Sequence, residues 1–188
     1  MFEMRGETGM EPMMEPMKTC CFTGHRPNHL PWREDESDPL CVVCKEHLAL
    51  EIERAYLAGF RRFLCGMAMG GDLLFAETVL SFGGLHPDLR LDAVIPCLDQ
   101  TIDWPPEQVR RYWNILDQIP TYQQILIQAQ RANGCMHRRD RYMVNQSQRI
   151  IALYDGKSRG GTQYTLHYAQ KKELETVILD PYTLKLSR

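Results

Sequence analysis

A chain of 188 residues and 21.9 kDa is long enough for one well-buried core and short for two, since domains usually run about 100 to 200 residues. Its apolar fraction of 44% and charged fraction of 24% are those of a globular protein, and no apolar run approaches the ~20 residues that cross a bilayer, so no membrane partner is expected. With 22 basic against 24 acidic residues the net charge is -2, which provides no global attraction to nucleic acid and argues against it as a partner.

Residues 1–17 are rich in Met, Glu, Gly and Pro without periodicity and read as a disordered leader, with Met10, Met13, Met14 or Met17 as alternative starts. Residues 18–188 read as one domain. The seven cysteines are odd in number, lack framework spacing and follow no secretory signal, so reduced thiols in a cytoplasmic protein are expected.

From Thr19 onward short apolar runs alternate with longer amphipathic ones, the mark of strands joined by crossover helices. The expected fold is α/β, a Rossmann-like three-layer α/β/α arrangement with a mostly parallel sheet of about five to six strands. Thr19 to Thr23 is a β-prone run ending in Gly24. Leu40 to Leu57 is helical, with an apolar stripe at Cys41, Cys44, Leu48, Ile52 and Ala55, and Gly59 ends it. Arg62 to Cys65 reads as the second strand, and Gly66 to Gly71 as a turn opening a helix through Phe75, Ala76, Val79 and Leu80 that Gly83-Gly84 closes. Leu89 to Ile95 is a third strand, and Pro105-Pro106-Glu107 starts the next helix. Thr121 to Ile127 suits either strand or helix and is read as strand. Arg138 to Ser147 follows as a helix, Arg149 to Tyr154 as a strand, Thr162 to Lys172 as a helix with lysines at its negative end, and Thr176 to Leu179 as the last strand.

Three strand-to-helix loops carry residues suited to anions, and in an open parallel sheet such loops converge on one edge. In the first, Thr23, Gly24, His25 and Arg26 precede Pro27; the glycine permits close backbone approach and the arginine offers a fork matched to phosphate. In the second, Gly66, Met67, Ala68, Gly70 and Gly71 lead to Asp72, so that backbone N–H groups at a helix N-terminus can face a phosphate. It lacks the Gly-Lys-Ser/Thr ending of a P-loop and the dinucleotide G-x-G-x-x-G. Asp72 either caps the helix or meets a ribose hydroxyl or a metal-bound water. In the third, Gly160, Gly161 and Thr162 follow the turn from Asp155 to Arg159 and form a second anion nest.

Other features weigh less. Cys41-x-x-Cys44 with His47 resembles part of a zinc site, but both cysteines lie on the apolar stripe and no second Cys/His pair accompanies them, so packing is the reading and no metal is expected. The run His137-Arg138-Arg139-Asp140-Arg141 is either a solvated face or brings Arg139 to the binding edge. Trp104, Tyr112 and Trp113 with Arg110 and Arg111 offer a small stacking platform for single-stranded DNA. Alternatively Trp104, Trp113 and Tyr122 are core or dimer contacts, and a homo-oligomer is an open expectation.

Taken together, Cys-Phe-Thr-Gly-His-Arg-Pro at Cys21 to Pro27, Gly-Met-Ala-x-Gly-x-Asp at Gly66 to Asp72, and the stretch from Arg139 and Met143-Val144 to Gly-Gly-Thr162 resemble the YpsA-like branch of the SLOG superfamily, over about Lys18 to Pro181. The resemblance implies a Rossmann-like fold and a pocket for a nucleotide or nucleotide-derived ligand. Relatives include the LOG phosphoribohydrolases, which cleave the base from a nucleoside monophosphate, and the DprA proteins, which bind single-stranded DNA. Gly161-Thr162 matches the LOG Gly-Thr, but Thr165 stands where the LOG catalytic glutamate would be. The leading expectation is a binding or sensing domain for a small phosphate-containing, nucleotide-like ligand, with no certain cofactor. The enzyme alternative is hydrolysis of an N-glycosidic or phosphoester bond, with Asp72 or Glu77 as the carboxylate and His25 as general acid. The DNA alternative needs a basic, aromatic groove.

Overall fold

The computed structural model describes residues 17–188; the expected leader and its alternative starts lie, apart from Met17, outside the described residues. A seven-stranded sheet runs through the middle, formed by β1 (Lys18–Gly24), β2 (Phe60–Cys65), β3 (Arg90–Ile95), β4 (Gln124–Leu126), β5 (Arg149–Leu153), β6 (Glu175–Leu179) and β7 (Leu186–Ser187) in the order β4-β3-β2-β1-β5-β6-β7. Every neighbouring pair is parallel except β6 with β7. The sheet thus has one strand more than expected. β7 is two residues long and holds its place through antiparallel pairing with Ile178 and Leu179, a tertiary contact that leaves no periodic trace in sequence.

Five helices cover the two faces: α1 (Pro39–Leu57), α2 (Gly71–Gly83), α3 (Pro106–Leu116), α4 (Cys135–Asn145) and α5 (Gly161–Lys171). Side chains alternate along each strand. Phe22, Phe63 and Leu91 therefore join Leu48, Phe75 and Ile115 in a core beneath α1, α2 and α3. Cys21, Leu64 and Ile150 join Met143, Leu166 and Ala169 in a second core beneath α4 and α5. The α1 stripe is buried at every expected position, Cys41 and Cys44 included, as free cysteines commonly are. Pro39 occupies the first helical turn and Asp38 accepts a 2.7 Å hydrogen bond from the Leu40 amide, so the start of α1 is fixed locally.

Two elements start three residues away from expectation, and the other boundaries differ by two residues or fewer. The stretch expected as a strand from Thr121 opens with a 3-10 turn, Thr121–Gln123, and only Gln124–Leu126 pairs, along the edge next to β3. Helix α4 begins at Cys135, a turn earlier than Arg138, from Gly134 in the left-handed region (φ 77°) with no side-chain cap. Glycine there breaks the expected Ser/Thr/Asp start signal and hides the first turn.

Candidate functional site

Strand β1 is the switch point of the sheet: β2, β3 and β4 are laid down on one side of it and β5, β6 and β7 on the other. The loops leaving β1, β2 and β5 consequently open onto one crevice. Glycines bring the backbones together there. A Cβ on Gly24 would lie 3.0 Å from the Gly71 Cα, and the Gly71 amide donates a 2.9 Å bond to the His25 carbonyl. Gly70 sits at φ +87°, where a Cβ would lie 2.6 Å from that same carbonyl oxygen. The Gly70-Gly71 pair thus docks α2 on β1, its Gly71 N–H already has an acceptor, and neither glycine lines the crevice. The expected phosphate nest at this pair is corrected on that ground.

The crevice is a cavity of about 290 Å³. Thr23, Gly24 and Arg26 face it from the end of β1, Ala68 and Asp72 from the β2 loop and α2, and Gly161 and Thr162 from α5. The Thr162 hydroxyl donates to the Gly24 carbonyl at 3.0 Å and pins α5 to β1. At the start of α5 no side chain caps the helix, and the amides of Gly161, Thr162 and Gln163 have no acceptor among the described residues. Free N–H groups and the positive end of the helix dipole give this end of the cavity a positive electrostatic character. Arg26 is half-buried, its guanidinium has no hydrogen bond or ion pair among the described residues, and burial pulls its pKa down.

The remaining wall comes from α4, where Met136, His137, Arg139, Asp140 and Met143 line the cavity. Arg139, 5% exposed, reaches under the β2 loop to the Gly66 carbonyl. A Cβ on Gly66 would lie 1.6 Å from its Nη1, so the absent side chain is what admits the guanidinium. Arg139 Nε lies 2.7 Å from Asp140 Oδ1, in an ion pair whose geometry leaves the N–H itself without a hydrogen-bond acceptor, and Nη1 lies 3.8 Å from Asp72 Oδ2. Against the downward pull of burial, these two carboxylates hold the Arg139 pKa above its ordinary value. Burial raises the Asp72 pKa, opposed by Arg139, by Arg26 and by the Ala68 amide, which donates to Asp72 Oδ2 at 3.2 Å.

Several expected site residues stand behind the cavity rather than in it. Gly66 and Met67 are held by Gln100, whose Nε2 lies 3.3 and 2.7 Å from their carbonyls, and Met67 is fully buried. Gly160, at φ 149°, shapes the turn into α5 without lining the cavity. His25, 3% exposed, turns toward the third loop: its Nε2 lies 3.1 Å from the Asp155 amide, which donates to it, and 3.0 Å from Asp155 Oδ1. Burial lowers the His25 pKa, so the ring is neutral at pH 7 and serves as an acceptor. Although burial acts to raise it, bonds from the Ser158 hydroxyl and amide and from the Lys157 amide hold the Asp155 carboxyl well below the usual range. Glu77 lies apart on α2, with Oε1 and Oε2 bonded to Arg111 Nε and Nη2.

Sequence reasoning found Arg139 but missed its neighbours. Met136, Arg139, Asp140 and Met143 recur at the spacing of one helix face, a signal present in the sequence but obscured by the basic residues between them. The proposed DNA platform is not assembled. Arg111 is committed to Glu36 and Glu77, Tyr112 is 3% exposed, and Trp104 packs edge-on against it.

Fold and crevice together define an open, Rossmann-like α/β protein with its cavity at the switch point of a parallel sheet. The chain belongs to the YspA SLOG family, whose sequence model matches residues 20–184. It is similar to the UPF0398 protein BH1768 of Halalkalibacterium halodurans, 24% identical over 170 residues covering 90% of this chain and 87% of that protein. It is also similar to the UPF0398 protein BBR47_29830 of Brevibacillus brevis, 24% identical over 138 residues and 73% of each chain. Among solved structures, DNA processing protein A from Helicobacter pylori, described for its single-stranded DNA binding mode, superposes with a TM-score of 0.55 at 18% identity. That match covers 87% of this chain but 65% of the other. The X-ray structure of TM1055 superposes with a TM-score of 0.51 at 12% identity, covering 85% and 72%. Identities this low establish the shared fold alone. Among the described residues no helix is long and apolar enough to cross a membrane.

Proposed function

We propose that the cavity binds the phosphate of a small nucleotide-like ligand, seated on the N-terminus of α5 and neutralised by Arg26. The observation that carries this reading is the meeting of two unsatisfied groups in one hollow: the uncapped amides of Gly161 to Gln163, and a guanidinium with no partner among the described residues. Ligand pockets begin at about 300 Å³, so the 290 Å³ here suits a mononucleotide-sized core. A groove of about 450 Å³ along Arg131 to His137 shares Met136 and His137 with the cavity and leaves a route for a longer substituent.

The substitution Gly161→Asp tests the reading. Nothing lies within 4 Å of a Cβ at Gly161, and an acidic residue in the first helical turn stabilises the fold by about 0.3–1 kcal/mol. The same carboxylate occupies the anion seat. Calorimetric titration with nucleoside monophosphates and inorganic phosphate is expected to show binding to the parent protein and none to the variant, with the melting temperature kept or raised. Equal binding by both would remove the helix terminus from the site.

Hydrolysis of an N-glycosidic or phosphoester bond is the second reading. The supporting observation is Asp72, a buried carboxyl in the cavity wall, which is the kind of group such a hydrolysis needs. Product analysis after incubation with nucleotides separates turnover from binding.

A further inference from the structure

The α5 end of the cavity offers donors, whereas the α2 and α4 side offers acceptors. Asp72 and Asp140 are 4% and 6% exposed, and both line the hollow. Each has one oxygen committed to the protein: Asp72 Oδ2 takes the Ala68 amide at 3.2 Å, and Asp140 Oδ1 faces Arg139 Nε at 2.7 Å. Their other oxygens, Asp72 Oδ1 and Asp140 Oδ2, take no hydrogen bond among the described residues. An ionised carboxylate is an acceptor only. A group that brings hydrogen-bond donors is therefore the one suited to this side of the cavity.

Phosphate oxygens bring none, and their charge is repelled by the two carboxylates. The next group along a nucleotide is the sugar, whose two adjacent hydroxyls suit two adjacent acceptors. Asp72 and Asp140 both flank Arg139, Asp72 Oδ2 lying 3.8 Å from Nη1 and Asp140 Oδ1 lying 2.7 Å from Nε. Beyond the sugar, the base has the Met136 and His137 opening into the outer groove.

We propose that Asp72 and Asp140 receive the vicinal hydroxyls of the ligand's sugar, so that the site selects ribonucleoside phosphates over their deoxyribose counterparts, with Asp140 as a specificity residue. The inference rests on the phosphate reading above. It adds a carboxylate from α4 to the site, and it assigns the ligand a diol.

The test is titration of the intact protein with matched pairs: AMP and 2′-deoxy-AMP, GMP and 2′-deoxy-GMP, CMP and 2′-deoxy-CMP, UMP and 2′-deoxy-UMP. A lost hydrogen bond to a charged acceptor lowers affinity about ten- to a hundredfold, which is the preference expected for the ribo member of whichever pair binds. In Asp140→Asn the ribonucleotide is expected to fall toward the deoxy level while the deoxynucleotide holds or tightens, because a repelling charge has gone. A thermal melt of that variant checks its fold, and the comparison in the unaltered protein stands without it. Ribo and deoxy members binding within about twofold of each other would overturn the inference and leave the phosphate reading intact. So would an Asp140→Asn protein that keeps the full preference. Failure of every nucleotide and of inorganic phosphate to bind would instead sink the phosphate reading, and this inference with it.

Discussion

Arg139 is the side chain on which the site turns. It is 5% exposed, and its partners are the Gly66 carbonyl, Asp140 and Asp72, all brought from different segments. Breaking a buried ion pair by removing one partner strands the other charge, at a cost of about 3–5 kcal/mol. Arg139→Leu leaves two carboxylates stranded, and urea denaturation is expected to show a loss of that size; a change below about 1 kcal/mol would mean the charges relax into water. The sequence exposed this residue through its place before a β-prone run. It did not expose Asp140, because a carboxylate among arginines reads as ordinary surface alternation until the helix is phased by Met136 and Met143. Nor did it separate the glycines that line the cavity from those that touch backbone. Gly161 faces the cavity while Gly70 and Gly71 face His25, and the two pairs look alike when written out.

Elements fare differently according to how local their causes are. The α1 stripe, the strands β1, β2, β3, β5 and β6, and the start of α3 at its prolines all carry their own periodicity or punctuation. β4 and β7 exist by pairing with neighbours that are distant in sequence or across a turn, and they were faint or missing. The clamp between the β1 and β5 loops is likewise nonlocal: His25 and Asp155 lie 130 residues apart and meet at 3.0 Å. Its titration gives a prediction with a definite sign. Burial lowers the folded pKa of His25 below its ordinary 6.5, so the unfolded chain binds more protons in the interval between the two values. Stability is therefore full above about pH 6.5 and declines as pH falls toward the folded value. Protonation also exchanges partners, since Nε2 must release the Asp155 amide and donate to its carboxylate. Melting curves between about pH 7.5 and 5.5 are expected to show this decline in the parent protein and a flatter profile in His25→Gln. Identical profiles would place the titrating group elsewhere.

At the scale of the whole molecule, the cavity is walled by residues from both sides of β1: Ala68 and Asp72 from the β2 side, Gly161 and Thr162 from the β5 side, and α4 across the top. A ligand there ties together segments that separate on unfolding, so binding reports on global stability. At a concentration of 100 times the dissociation constant the gain is about 2.7 kcal/mol, and in a chain of this size each kcal/mol moves the midpoint by about 2–4 °C. A rise of roughly 5–10 °C is thus expected from a tight nucleotide in a thermal shift assay, against little change from an uncharged nucleoside that lacks the anion. Such a panel also distinguishes a small-molecule site from a strand-binding surface, because oligonucleotide binding to a basic surface fades with salt.

The seam at Gly24 and Gly71 divides the protein into what can vary and what cannot. A Cβ on either glycine would lie 3.0 Å from the Cα of the other, so main chain presses on main chain at this seam and neither position accepts a side chain. On α4, Met143 belongs to the core and Arg139 and Asp140 are buried together as an ion pair, which leaves Met136 and His137 as the lining positions free to vary. Changing what the cavity admits is consequently a design problem of those two positions, carried out above a foundation that must be left untouched.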